Sequence, residues 1–193
     1  PAPHEFHNFD ASPTLRLARF PLLSSLVHKN PNRFPSNVRY GDITRGPLVA
    51  GGSADGVYCS HVLEHLSKED CQRALHNVYD MLKSGGVFRF VFPDLKSLAL
   101  DYVNSKLDAN RFMIETGLGV ERRPKNFYGF LKSFFGNSSH LWLWDEASIF
   151  AELDKAGFVC IRRAAFGDSV DPMFSLVEVP GRWIGHLGVE CFK

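Results

Sequence analysis

Val57-Tyr58-Cys59-Ser60-His61-Val62-Leu63-Glu64-His65-Leu66, then a helical stretch from Ser67, the turn Lys83-Ser84-Gly85-Gly86 and the run Val87-Phe88-Arg89-Phe90-Val91-Phe92-Pro93-Asp94 decide the fold of this chain. Ser67 is placed to cap a helix whose first turn carries Glu69 and Asp70, near the positive end of the helix dipole. Cys71, Ala74, Leu75, Val78, Met81 and Leu82 recur at helical spacing behind it. Gly85 stands where a left-handed C-cap belongs, and Val87 to Phe92 is β-branched and aromatic enough for a buried strand. Strand, helix and strand make a βαβ unit. Its parallel strands end on one edge, so Ser60-His61 and Pro93-Asp94 should face the same crevice, where open α/β sheets bind ligands.

At 193 residues and 45% hydrophobic content, the chain can bury one core, and a single domain over 1–193 is expected. A net charge of +1 gives no nucleic-acid signature, and the compact basic run Arg122-Arg123-Pro124-Lys125 reads as a solvated loop. The four cysteines, Cys59, Cys71, Cys160 and Cys191, have no C-x-x-C spacing, as reduced thiols of a cytoplasmic protein would. No apolar run approaches the roughly 20 residues of a membrane span, and no signal peptide is visible.

Phe6 to Ser12 reads as a short strand running into Asp10, with a helix from Pro13 through Leu15 to Val27. Turn chemistry at Asn30-Pro31 and Pro35-Ser36-Asn37 precedes a short strand from Val38 that ends at Gly41-Asp42. Asp94 caps a helix with Leu95, Leu98, Ala99, Tyr102 and Val103 on one face. Residues 106–144 show no clean period but are rich in aromatics, which suits a lid or substrate-recognition insertion and a peripheral helix packed against the core equally. Asp145 caps a further helix with Ile149, Phe150, Leu153 and Ala156 inward and Gly157 as its stop. Strands over Phe158 to Ala164 and Leu187 to Phe192 close the chain, joined by a long hairpin-like connection.

Ser60-His61-Val62-Leu63-Glu64-His65-Leu66, Met81-Leu82-Lys83-Ser84-Gly85-Gly86 and Phe92-Pro93-Asp94-Leu95 together resemble class I S-adenosylmethionine-dependent methyltransferases of the type 11 group. Ala156-Gly157-Phe158 and Leu187 to Cys191 resemble the closing strand pair of that family. The resemblance implies a Rossmann-like α/β fold: a seven-stranded, mostly parallel sheet with an antiparallel last strand and helices on both faces. The family's first strand and glycine-rich loop should stand before Asp10, and Pro1 to Glu5 do not contain them. They are expected to precede residue 1.

By the family pattern, S-adenosylmethionine is the cofactor. Asp10 would hold the ribose hydroxyls, Asp42 and Ile43 the adenine, and Ser60 and His61 the methionine end. Read without the resemblance, Asp10 is a helix cap or turn residue and Asp42 a strand-end turn. His61, Asp94 and His140 are the candidates for a catalytic base, needed chiefly if the acceptor must lose a proton. Asp94 competes with its role as a helix cap, and His140 with that of a satisfied loop histidine. Glu64 and His65 are adjacent, so their side chains should diverge and serve structural hydrogen bonds. His4-Glu5-Phe6-His7 resembles a metal pair only superficially, and no metal is expected.

The resulting expectation is methyl transfer to a small-molecule or sugar-containing acceptor, with no nucleic-acid partner and room for a homodimer. The alternative is a non-catalytic methyltransferase-fold binding or interaction module, its aromatic segment serving as a partner surface. A nicotinamide-linked oxidoreductase is disfavoured because no Tyr-x-x-x-Lys pair is evident.

Overall fold

A computed structural model describes residues 2–12, 15, 34–120 and 139–193. Two strands, β1 (Asn8–Asp10) and β2 (Val38–Tyr40), pair in parallel. A four-stranded mixed sheet follows in the order β3 (Ala54–Ser60), β4 (Leu82–Pro93), β6 (His186–Phe192), β5 (Val159–Ala164). The described helices are α1 (Lys68–Met81), α2 (Leu95–Val103), α3 (Ala109–Glu115) and α4 (Glu146–Lys155). The helix read from Pro13 to Val27 lies outside the described residues except for Leu15, which is helical and buried.

The expected βαβ unit is present, and the last strand is antiparallel to both of its neighbours. The seven-stranded sheet is not. Among the described residues the strands form two separate sheets of two and four. The break falls between the β1–β2 pair and β3, where the central strand implied by the resemblance, absent from this sequence, would have to pair.

The cap read at Ser67 is realised, its hydroxyl accepting from the Asp70 N–H at 3.1 Å. The helix runs to Met81 and buries Cys71, Ala74, Leu75, Val78 and Met81. Gly85 does adopt a left-handed φ of 75°, but not as the helix cap. The chain goes extended at Leu82, which pairs with Ala54, and the two-glycine turn lies within an irregular start of β4. There Gly85 N–H donates to Lys193 O at 2.9 Å, tying the turn to the C-terminal end.

β4 is buried on both faces, and its alternation sorts the core. Phe88, Phe90 and Phe92 pack with Leu75 and Val78 of α1 and with Ile149 and Leu153 of α4. Val87 meets Phe174 and Val177, Val91 meets Ala164 and Trp183, and Arg89 stands between them on that second face. The covering layer is the connection between β5 and β6. It is built from short 3-10 turns at Pro172–Leu176 and Pro180–Arg182 rather than from a plain hairpin.

Of the face read on α2, Leu95, Leu98 and Ala99 are half-buried, whereas Tyr102 and Val103 are exposed, because among the described residues α2 meets mainly the short α3. Residues 106–144, read as either a lid or a peripheral helix packed against the core, contain the short helix α3, capped by Asp108, which accepts from Arg111 N at 2.8 Å. Trp144 belongs to the main core, 1% exposed, rather than to a lid. Residues 121–138, with the Arg122 to Lys125 run, lie outside the described residues. No helix of the described residues is long and apolar enough to cross a membrane.

Candidate active site

The parallel ladder pairs Ser60 with Val91, and His61 N–H donates to Val91 O at 2.9 Å. Ser60-His61 and Pro93-Asp94 therefore leave the sheet at the same edge, as the βαβ reading requires. His61 then takes a left-handed φ of 55°, which is costly for a residue with a side chain and turns the chain sharply into the Leu63–His65 turn. Its imidazole is held between two oxygens. Nδ1 lies 3.1 Å from Glu64 Oε1, without the alignment of a hydrogen bond, and Nε2 lies 3.3 Å from Arg182 O.

Two residues that the sequence reading did not single out complete this edge. His186, opposite Pro93 in the antiparallel register, sets its ring edge-on to His61 with centroids 4.7 Å apart. Arg182 donates from Nη1 to Ser60 Oγ at 3.4 Å and offers its carbonyl to both histidines, with His186 Nδ1 at 2.8 Å. Ser60, His61, His186 and Arg182 thus form one polar cluster at the carboxyl ends of β3 and β4.

The acidic candidates are less free. Asp94 is buried and caps α2 through Oδ1, which accepts from Lys96 N at 3.0 Å, while Oδ2 receives Arg163 at 3.4 Å. Its capping role is realised, and both oxygens are engaged. Asp42 accepts through Oδ1 from Thr44 N and Oγ1, at 3.0 and 2.7 Å, and pairs through Oδ2 with Arg45 at 3.0 Å. Ile43 packs against the core, and its carbonyl accepts from Asn77 at 2.6 Å. Asp10, at the end of β1, accepts from Ser12 N through Oδ1 at 2.6 Å, leaving Oδ2 as its oxygen for another donor.

His140 does not reach His61. Its Nδ1 is 2.7 Å from Thr116 O, and its ring stands edge-on to His65 with centroids 4.9 Å apart. Beside both lies Glu64, completely buried, with neither carboxylate oxygen hydrogen-bonded among the described residues. One ligand atom each from Glu64, His65 and His140 lies within 4.8 Å of the others. Glu64 and His65, read as diverging neighbours, leave the Leu63–His65 turn close enough that His140, entering from a distant segment, brings a ligand atom within 4.8 Å of one on each.

No curated protein matches the chain. Three of the solved structures to which the chain is similar illustrate the range. They are a possible exported protein from Bordetella parapertussis (14% identity, 96% of this chain and 52% of that one, TM-score 0.49), human N-acetylserotonin methyltransferase in complex with S-adenosylmethionine (16%, 90% and 39%, 0.44), and an S-adenosylmethionine-dependent methyltransferase from Archaeoglobus fulgidus (15%, 88% and 72%, 0.44). The chain spans about half of the length of the first and less of the second. It is residues 7–90, from β1 through the middle of β4, that match the methyltransferase domain family, the family that the motifs of this chain resemble.

Proposed function

We propose that this chain carries out S-adenosylmethionine-dependent methyl transfer to a small-molecule or sugar-containing acceptor. The observation that carries the reading is the shared edge of β3 and β4, which gathers Ser60, His61 and His186 where a parallel βαβ unit binds its ligand, within and beside the segment that matches the family. Asp10 fits the ribose role, because one oxygen fixes the turn and the other is left for a hydroxyl. Asp42 fits less directly. Its carboxylate is shared with Thr44 and Arg45, so it orients the turn that would border the adenine, with Ile43 beside it. Ser60 and His61 would border the methionine end.

When bound, S-adenosylmethionine supplies the electrophilic methyl group, and the protein's task is chiefly to align an acceptor with it. Alignment of two reactants is worth on the order of 7–11 kcal/mol. Of the base candidates, His61 is the one at the crevice. Both its nitrogens face oxygens, so taking a proton from an acceptor requires the Arg182 carbonyl contact to open. Asp94 serves as a helix cap, and His140 is turned toward Glu64 and His65.

The test is thermal unfolding of the full-length protein with S-adenosylhomocysteine, using NAD as the control. Ligand at 100 times its dissociation constant adds about 2.7 kcal/mol, a rise in midpoint of about 5–11 °C at 2–4 °C per kcal/mol. A shift with S-adenosylhomocysteine alone is expected. Folded protein that shifts with neither ligand would overturn the reading in favour of a non-catalytic binding module.

A further inference from the structure

Glu64 presents an energetic problem. Its side chain is 0% exposed, yet among the described residues neither carboxylate oxygen has a hydrogen-bond partner, and an uncompensated buried carboxylate is among the costliest groups a core can hold. The nearest nitrogen, His61 Nδ1, approaches Oε1 off the line of its N–H.

The surroundings are arranged as a ligand set. His65 Nδ1 faces Ser139 O at 3.2 Å and His140 Nδ1 faces Thr116 O at 2.7 Å. A carbonyl can only accept, so each contact places the proton on Nδ1 and leaves the Nε2 lone pair available. Metal-binding histidines are oriented in this way by an outer-shell acceptor. The scaffold is also fixed. Glu64 O accepts from Leu141 N at 2.8 Å and Trp142 N at 3.3 Å, which staples the turn after β3 to the segment that carries His140. Gly117, at a left-handed φ of 65°, makes room for the His140 ring. A Cβ there would stand 2.5 Å from Nδ1.

We propose that Glu64, His65 and His140 bind a divalent transition-metal ion, with Zn2+ the best match to two imidazoles and one carboxylate. Three protein ligands leave a fourth position open for water or another ligand, the donor count of open zinc sites. Tetrahedral ligands at about 2.0–2.2 Å from zinc stand about 3.5 Å apart, so a cluster within 4.8 Å closes by small side-chain rotations. The ion would supply the positive charge that Glu64 lacks and lock the segment before Trp144 onto the end of β3. It would also make His140 a ligand rather than a base. This inference runs against the sequence expectation of no metal and does not depend on the methyltransferase reading.

The experiment is titration of tag-free, chelator-treated full-length protein with Zn2+, followed by isothermal calorimetry. X-ray absorption of the one-equivalent complex and the visible spectrum of the Co2+ form are recorded in parallel. One equivalent should bind, with two imidazole nitrogens and carboxylate oxygen in the first shell and the intense visible bands of four-coordinate Co2+. Glu64→Gln and His140→Ala should each weaken binding by more than the roughly 10–100-fold expected for an outer-shell change. His76→Ala, in α1 and outside the cluster, should bind as the native protein does. The absence of stoichiometric binding, a first shell without two imidazoles, or ligand variants that bind as the native protein does would each overturn the proposal. The absorption measurement needs no variant, so misfolding of a substituted protein would not shield it.

Discussion

Replacing Arg89 with methionine should be the most damaging single change on the second face of the sheet. Arg89 is completely buried and donates from Nε to Glu178 at 2.5 Å, from Nη1 to Glu190 and Asp168 at 3.0 Å each, and from Nη2 to Ala165 O at 2.7 Å. Its guanidinium also lies 4.7 Å from the centre of the Trp183 ring. The three carboxylates would not suffer equally. Asp168 and Glu190 keep Arg162, at 2.8 and 2.6 Å, whereas among the described residues the buried Glu178 keeps only the Gly167 N–H at 2.8 Å. Leaving one buried charge without its partner costs about 3–5 kcal/mol, which at 2–4 °C per kcal/mol lowers the midpoint of a chain this size by about 6–20 °C. Replacing the pair together, Arg89→Met with Glu178→Met, should recover most of that loss, since apolar replacement of a buried pair is often neutral. Urea unfolding of the native chain, the two single variants and the double variant measures all four corners. An Arg89→Met protein within about 1 kcal/mol of native, or a double variant no better than that single one, would refute the reasoning.

Two further outcomes follow from the same surroundings. Burial raises the carboxyl of Asp168, but hydrogen bonds from Arg162, the Ala165 region and Arg89 outweigh it and hold the group at about 2, below its ordinary 3.8. Its contribution is therefore present above the unfolded value and lost as the pH falls through about 4 to 2. Asp168→Asn should flatten the pH dependence of the melting temperature in that window, and an unchanged acid limb would count against the network. Thiol labelling of the folded chain should find Cys160 first, since it is exposed. Burial pushes the Cys59 and Cys71 thiols up to about 12, with Glu64 adding to the effect at Cys59, and pushes Cys191 higher still. More than one fast thiol at neutral pH would contradict that ordering.

What the sequence made legible was what short-range chemistry determines. Ser67, Asp94 and Asp145 each cap the helix that follows, because a side-chain oxygen two or three residues ahead of an open N–H is a local geometry. The strand from Val87 to Phe92 was legible as well, because such a run fits a doubly buried strand. Asp108 offered the same signal for α3 and was obscured by the glycines and aromatics around it. The sheet count was not legible. It depends on which strands meet at an edge, and the strand that the resemblance places between β1 and β3 is not in this sequence.

The site divides along the same line. Asp10, Asp42 and Asp94 all occupy the turn or cap roles that their own neighbours can satisfy, so any ligand must share their carboxylates with backbone N–H groups already in place. The groups that distinguish the crevice come from far along the chain. Arg182 and His186 reach Ser60 and His61 across more than 120 residues, from a covering layer whose course no local pattern specifies. His140 likewise meets Glu64 only because Leu141 and Trp142 bond to the Glu64 carbonyl. His61-x-x-Glu64 was the available hint, and the left-handed turn at His61 that leads into the Leu63–His65 turn sets the imidazole against the buried carboxylate. Glu64 thereby joins the two histidine groups. One of its oxygens faces His61 and the substrate edge, and the same carboxylate faces His65 and His140. A cation held by the second group would draw on the charge that now faces the first, so zinc added to the protein should shift the His61 ring resonances at constant pH, although that ring is not itself a ligand. Following those resonances by NMR at one pH, with and without Zn2+, measures that coupling; unchanged resonances would show the two groups to be independent.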